Sequence, residues 1–183
     1  GPEVLRVEER PTSSPGPGEV AISVRAAGIN FADTMARCGT YPDAPAPPCV
    51  IGYEVAGEVE SVGAGVESVR EGDRVCAATR FGGYSEYVTV PAGQVFPLPQ
   101  DMPFEQGAAF PVNYGTAYAA LVIMGGVRAG DRVLIHSAGG GVGTAATQVA
   151  KARGAEVFGT ASASKHEAIK EHAQALFNSN RQI

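Results

Sequence analysis

The sequence predicts a mixed fold, a small β-barrel or barrel-like sheet followed by an α/β unit, and three observations predict it. Short segments of alternating apolar and polar residues, separated by turn signals, fill the first two thirds of the chain. Near Pro103 the texture changes to Ala-rich segments with apolar residues at helical spacing. Beyond that, a run of glycines stands between an apolar strand-like segment and an apolar-periodic helix. The 24 Gly and 13 Pro suit this plan, because short strands need many turns.

The elements follow in order. Glu19–Arg25 and Glu54–Gly63 alternate with the period of half-buried strands, and Arg74–Ala77 follows the turn signal Glu71-Gly72-Asp73. Tyr84–Val90 is a fourth expected strand, ended by Pro91, and one helix is expected from Phe31 to Arg37. From Phe104 to Gly125 the pattern is helical, with Pro111 interrupting or beginning a helix. A turn at Gly130 leads into a short strand ending near His136; a helix from Val142 to Arg153 and a strand from Ala155 to Thr160 come next. Ser164–Ala175 reads as a further helix. The expected division is residues 1–102 and 103–183.

The totals narrow the function classes. With 44% apolar and 18% charged residues over 183 positions, the chain reads as globular rather than disordered. A net charge of −5 and scattered Lys and Arg argue against a nucleic-acid partner. No stretch approaches the roughly 18 apolar residues of a membrane span, and no basic-then-apolar leader opens the chain. Cys38, Cys49 and Cys76 are odd in number and widely spaced, which does not read as a disulfide framework. A cytoplasmic location is the expectation.

The glycine run carries the first chemistry. Ala138-Gly139-Gly140-Gly141-Val142-Gly143 lies between strand and helix, and a second strand closes a β-α-β unit. In that context Gly140 lets backbone approach a pyrophosphate, while Gly143 lets the helix pack tightly on the sheet. The N–H groups of Gly141 and Val142, at the positive end of the helix dipole, would face the phosphates. An acid about 20 residues further on would hold the ribose hydroxyls of NAD. Here the second strand runs into Ala161-Ser162-Ala163-Ser164-Lys165, with no acid before Glu167. Ser162 and Lys165 can instead meet a 2′-phosphate, so NADPH is the expected cofactor. The plainer reading, that Ser162 or Ser164 caps the following helix, is compatible with it.

Asp131–Gly143 resembles the nucleotide turn of medium-chain dehydrogenases/reductases, nearest the zinc-independent branch of quinone oxidoreductases (zeta-crystallin type) and vesicle amine transport protein 1 relatives. Ala27–Asp33, Gly52–Gly57 and Val112–Tyr118 are similar to other motifs of that branch, and Gly159–Ser162 with Lys165–Ile169 leans toward the vesicle-transport relatives. The resemblance implies a GroES-like β-barrel catalytic domain followed by a Rossmann domain truncated after its first units, with a further strand expected ahead of Gly1. It also implies a homodimeric full-length parent. On the positions that hold catalytic zinc in alcohol dehydrogenases of this superfamily stand Asn30 and Tyr53. Amide and phenol are poor zinc ligands, and no metal is expected.

Without a Lewis acid, a nicotinamide hydride needs an acceptor that is already electrophilic, such as a quinone or an α,β-unsaturated carbonyl. The protein then has to orient the acceptor and donate hydrogen bonds to the oxygen that gains charge. By resemblance, Asn30, Tyr41 and Tyr53 line the substrate site and Thr116 lies close to the nicotinamide. Each has a plainer alternative: Asn30 as a helix cap, Tyr41 as a turn aromatic, Thr116 as a helix back-bond. Asp33 reads as backbone support and Cys76 as a buried strand residue. Two other functions stay open, an enoyl reductase module of a polyketide or fatty-acid synthase, and a vesicle-transport-type relative that binds NADPH or a partner without turnover.

Overall fold

Alternation along Glu19–Ala27 (β1) takes Val20 and Ile22 fully out of water, and that buried face organises the first half of the molecule. The computed structural model describes residues Gly1–Ser179. β1 pairs antiparallel with Glu54–Val62 (β2) on one side and with Tyr87–Pro91 (β4) on the other; Arg74–Ala78 (β3) and Val95–Pro97 (β5) complete a five-stranded sheet of order β4-β1-β2-β3-β5. Val55, Val59, Val75 and Val90 join Val20 and Ile22 in its core.

β2 is buried on both faces. Val55 faces that core, while Ala56 packs with Cys76, Leu98 and Ala108 in a second cluster. Ala108 ends the short helix Phe104–Ala108 (α2), which follows the change of texture at Pro103 and packs with the first unit. Phe31–Arg37 (α1) is the helix expected between β1 and β2.

The chain divides into two compact units between Pro111 and Val112. The division falls at the start of the helix Pro111–Tyr118 (α3), whose first residue is Pro111, and the chain runs on as a π-helical turn over Ala119–Met124. Arg132–Ile135 (β6), Gly141–Ala152 (α4) and Glu156–Ala161 (β7) form the β-α-β unit, with β6 and β7 parallel. The helix begins at Gly141, at the glycines themselves. Ala138, Ala145, Ala146 and Ala150 pack the helix onto the sheet with side chains small enough for close approach.

Two expectations are corrected. Residues 84–86 lie outside β4, because the Tyr84 backbone turns to bond Ile51 and its hydroxyl reaches Asp33. The helix expected over Ser164–Ala175 is broken into a 3-10 turn at Ala163–Lys165, one α turn at His166–Ile169 (α5) and a 3-10 turn at Lys170–His172. Ala175–Asn178 is instead a third parallel strand (β8) beside β7, with Leu176 against the apolar core. The gain from pairing along β7 outweighs the helical preference of Ala and Leu. Among the described residues no helix is long and apolar enough to cross a membrane.

Candidate functional site

In the first unit, a buried carboxylate collects the backbone around Asn30. Asp33 is 3% exposed. Its Oδ2 accepts the Asn30 N–H at 2.7 Å and the Tyr84 hydroxyl at 2.9 Å, and its Oδ1 accepts the Gly52 N–H at 3.1 Å. Three chain segments are thereby tied to the first turn of α1. Gly52 sits at φ +104° with the Tyr84 nitrogen 2.6 Å from where a Cβ would lie, so no larger residue fits that turn.

Asn30 is also held by its side chain. Its Nδ2 donates to Glu54 Oε1 at 2.9 Å, and Glu54 is 1% exposed at the start of β2. Gly28 makes the room, since a Cβ there would lie 2.4 Å from Glu54 Oε1 and 2.5 Å from the Ala108 carbonyl. Next to Glu54, Tyr53 presents its ring to Tyr41, edge-on at 5.7 Å, and to Phe81, tilted at 5.0 Å. The Tyr53 hydroxyl is buried and makes no hydrogen bond among the described residues. Burial first, then Tyr41 and the carboxylates of Asp33 and Asp43, push its pKa up to about 12. It is therefore a protonated donor at neutral pH. Burial and the bond to Asp33 raise Tyr84 as well.

In the second unit the chain leaves β6 through Ser137, a non-glycine residue in the left-handed region at φ 54°. The Ala138 N–H then bonds the Thr160 carbonyl at 2.9 Å, which anchors the turn to the end of β7. A Cβ on Gly143 would lie 2.1 Å from the Ser137 carbonyl oxygen, so only glycine permits this approach of α4 to the turn. The first α-helical bond of α4 runs from Thr144 N–H to Gly140 O at 2.8 Å. The N–H groups of Gly141, Val142 and Gly143 precede it, on the positive end of a 12-residue helix.

Other side chains frame that turn. Asn113 Oδ1 lies 2.7 Å from where a Gly141 Cβ would be, and the Tyr114 hydroxyl bonds Gln148 at 2.6 Å, linking α3 to α4. Lys165 lays its stem along the turn, its Cδ 2.9 Å from where a Gly139 Cβ would be. Its ammonium has no ion-pair partner among the described residues. Ser162 makes no side-chain cap bond; its hydroxyl lies 3.3 Å from that of Ser164. Glu167, the first acid beyond β7, is paired with Lys170. Thr116 is exposed on α3.

Residues 16–100 match the alcohol dehydrogenase GroES-like domain. The chain is 48% identical over 175 residues to the synaptic vesicle membrane protein VAT-1 homolog of Rattus norvegicus, covering 94% of this chain and 43% of that protein. It is 42% identical over 182 residues to the quinone oxidoreductase of Rattus norvegicus, covering 97% and 55%. The solved structure of Escherichia coli quinone oxidoreductase complexed with NADPH superposes with a TM-score of 0.89 at 36% identity, covering 100% of this chain and 57% of that one. Over the lengths matched, the chain is similar to the quinone oxidoreductases and VAT-1 homologs of the medium-chain dehydrogenases/reductases. It spans about half the length of the curated relatives it matches.

The first unit brings Asn30, Tyr41 and Tyr53 into one neighbourhood through Asp33, Glu54 and ring contacts. The second gathers Ala138, Gly140–Gly143 and Lys165 at one turn, with Ser162 at the end of the adjoining strand. Sequence reasoning missed Glu54, Phe81 and Tyr84 in the first group and Asn113 in the second. Glu54 had a visible signal, an acid opening a strand of Val, Ala and Gly, yet alternation reads it as an ordinary solvent-facing position. Among the described residues no group of three or more His, Cys, Asp and Glu side chains is placed to hold a metal.

Proposed function

We propose that this chain carries the acceptor-binding and phosphate-binding parts of an NADPH-dependent reductase that acts on quinones or α,β-unsaturated carbonyls without zinc. The observation that carries the cofactor half is Lys165, its stem along Gly139 and its ammonium without an ion-pair partner among the described residues, beside a β7 end that lacks an acid. NADPH supplies a hydride when bound. The N–H groups of Gly141 and Val142 bind the pyrophosphate, Gly140 and Gly143 keep side chains out of its way, and Lys165 with Ser162 holds the 2′-phosphate. Thr116 stands beside the nicotinamide by family resemblance.

On the acceptor side, Asn30 and Tyr53 donate to the oxygen that becomes an oxyanion, and Tyr41 packs over the acceptor. The high pKa of Tyr53 keeps its proton in place for that role. The test is calorimetry on this chain, NADPH against NADH, followed by acceptor turnover. NADPH should bind at least about tenfold more tightly, and Lys165→Glu should abolish the preference. Equal affinity for both nucleotides would refute the cofactor assignment. A second reading, binding without turnover, is favoured by the 48% identity to the protein named for synaptic vesicles. Steady NADPH oxidation with a quinone acceptor would remove it.

A further inference from the structure

We propose that Glu54 is a positioning residue that locks the Asn30 side chain as a hydrogen-bond donor toward the acceptor oxygen. The proposal rests on the acceptor role given to Asn30 above, and it concerns a buried acid that no part of that role uses.

In the structure the Asn30 amide presents Nδ2, not Oδ1, to Glu54, and an ionised Glu54 can only accept. Glu54 Oε1 receives one of the two Nδ2 protons at 2.9 Å. The amide is planar, so the direction of the second N–H is set at the same time. Glu54 cannot move aside to release it. It opens β2 inside the sheet, it is 1% exposed, and its carboxyl fills the space that Gly28 leaves below the Ala108 carbonyl. The Asn30 backbone is fixed independently through its N–H to Asp33 Oδ2 at 2.7 Å. Two buried acids thus share the work: Asp33 fixes the Asn30 backbone within a capping box that also engages the Asn30 side chain, and Glu54 takes the Nδ2 end of the amide. Withdrawal of one proton by a carboxylate also polarises the amide within a low-dielectric site.

This arrangement suits an acceptor whose oxygen gains negative charge and does not suit one that must donate. An acceptor requiring an Asn carbonyl would have to turn the amide and set Oδ1 against a carboxylate, a like-charge contact in a buried place.

The decisive experiment is a double-mutant cycle on the whole chain, followed by thermal unfolding across pH. Asn30→Asp puts two carboxyl groups in contact, so one must keep its proton in the fold and its folded pKa rises above the unfolded value. Stability is then full at low pH and lost as pH rises through the folded pKa. The other titratable groups facing this pair are Asp33 on α1, Cys76 on β3 and Tyr84; all are present in each variant. The Asn30→Asp chain should lose about tenfold or more in its folded-to-unfolded ratio between about pH 5 and about pH 8, and adding Glu54→Gln should remove that loss. An identical pH dependence in the single and double variants would overturn the contact.

Quinone binding, read by quenching of tyrosine fluorescence with menadione as probe, tests the purpose. Glu54→Gln should weaken menadione about tenfold while NADPH affinity stays unchanged, because a Gln can accept or donate and frees the Asn30 amide to turn. Unchanged menadione affinity in Glu54→Gln, in a chain whose cycle shows the contact, would overturn the positioning role. Should the unmutated chain bind no menadione, the acceptor reading fails, and the cycle still decides the contact. If Glu54→Gln does not fold, heteronuclear NMR of the unmutated chain replaces it: one Asn30 amide proton shifted downfield and slow to exchange supports the lock, and two rapidly exchanging protons overturn it.

Discussion

Around Asn30 the first unit buries carboxyl groups, and around Gly140 the second buries almost nothing but methyl groups and backbone. Asp33 and Glu54 are 3% and 1% exposed, and together they hold the Asn30 backbone, the Asn30 amide, Gly52 and Tyr84. Among the described residues of the second unit the one buried polar side chain is Thr147, and the glycine turn is shaped by Ala138, Ala145, Ala146 and Gly143. The difference follows from what each part has to present. Side-chain donors need side chains to aim them, and a buried carboxylate aims strongly because each bond to it is charge-assisted. Backbone donors are aimed by the helix that carries them, which requires only that nothing stand in front.

If that contrast is right, the first unit should fail by loss of partners and the second by added bulk. Asp33→Ala leaves the Asn30 and Gly52 N–H groups and the Tyr84 hydroxyl without their acceptor. It should cost about 4 kcal/mol in chemical unfolding, with Asp33→Asn costing about half as much. A loss below about 1 kcal/mol would show that water replaces the carboxylate and that the network does not organise the site.

Gly143→Val is the matching test in the second unit. Its side chain would press on the Ser137 carbonyl, which cannot retreat without breaking the turn, and about 3 kcal/mol should be lost. Gly140→Ala meets that carbonyl only at 3.3 Å, so its unfolding should change little while NADPH binding, by calorimetry, weakens. Equal effects from the two glycines would mean that the turn is merely flexible.

Alkaline titration sharpens the comparison, since the raised tyrosines Tyr53 and Tyr84 both lie in the first unit. A tyrosine whose folded pKa exceeds the unfolded value of about 10 binds more protons folded than unfolded above that pH. Stability therefore falls as pH rises from about 10 through the Tyr53 value of about 12. Tyrosinate absorbance should appear late, coincident with unfolding of the first unit, and Tyr53→Phe should reduce the effect. The smallest change is expected for Lys165→Ala. Stability should stay within about 0.5 kcal/mol, because the side chain is exposed, while NADPH affinity drops about tenfold.

The sequence announced the elements whose periodicity is set locally. Alternation marked β1 and β2, a turn signal marked β3, and the step from strand to glycines to helix marked the nucleotide turn within one residue of where α4 begins. β8 was hidden because Ala175-Leu176-Phe177-Asn178 carries no strand pattern of its own; only the waiting edge of β7 makes it a strand. Tyr84 was misplaced for a related reason, since its course is drawn by Asp33, which lies far away in sequence.

The same division holds at the site. Residue types alone made Asn30 an amide and Tyr53 a phenol, gave the turn its glycines, and left no acid at the end of β7. Those are properties of single positions and short spacings, carried by covalent chemistry and backbone freedom. Only the tertiary structure decided that Glu54 faces Asn30 and that Asp33 gathers three donors. It also decided that Tyr53 keeps its proton and that Lys165 crosses the glycine turn. Each of these depends on burial or on contacts between distant segments, and burial alone turns an acid in a strand from a solvated charge into a fixed point of the site.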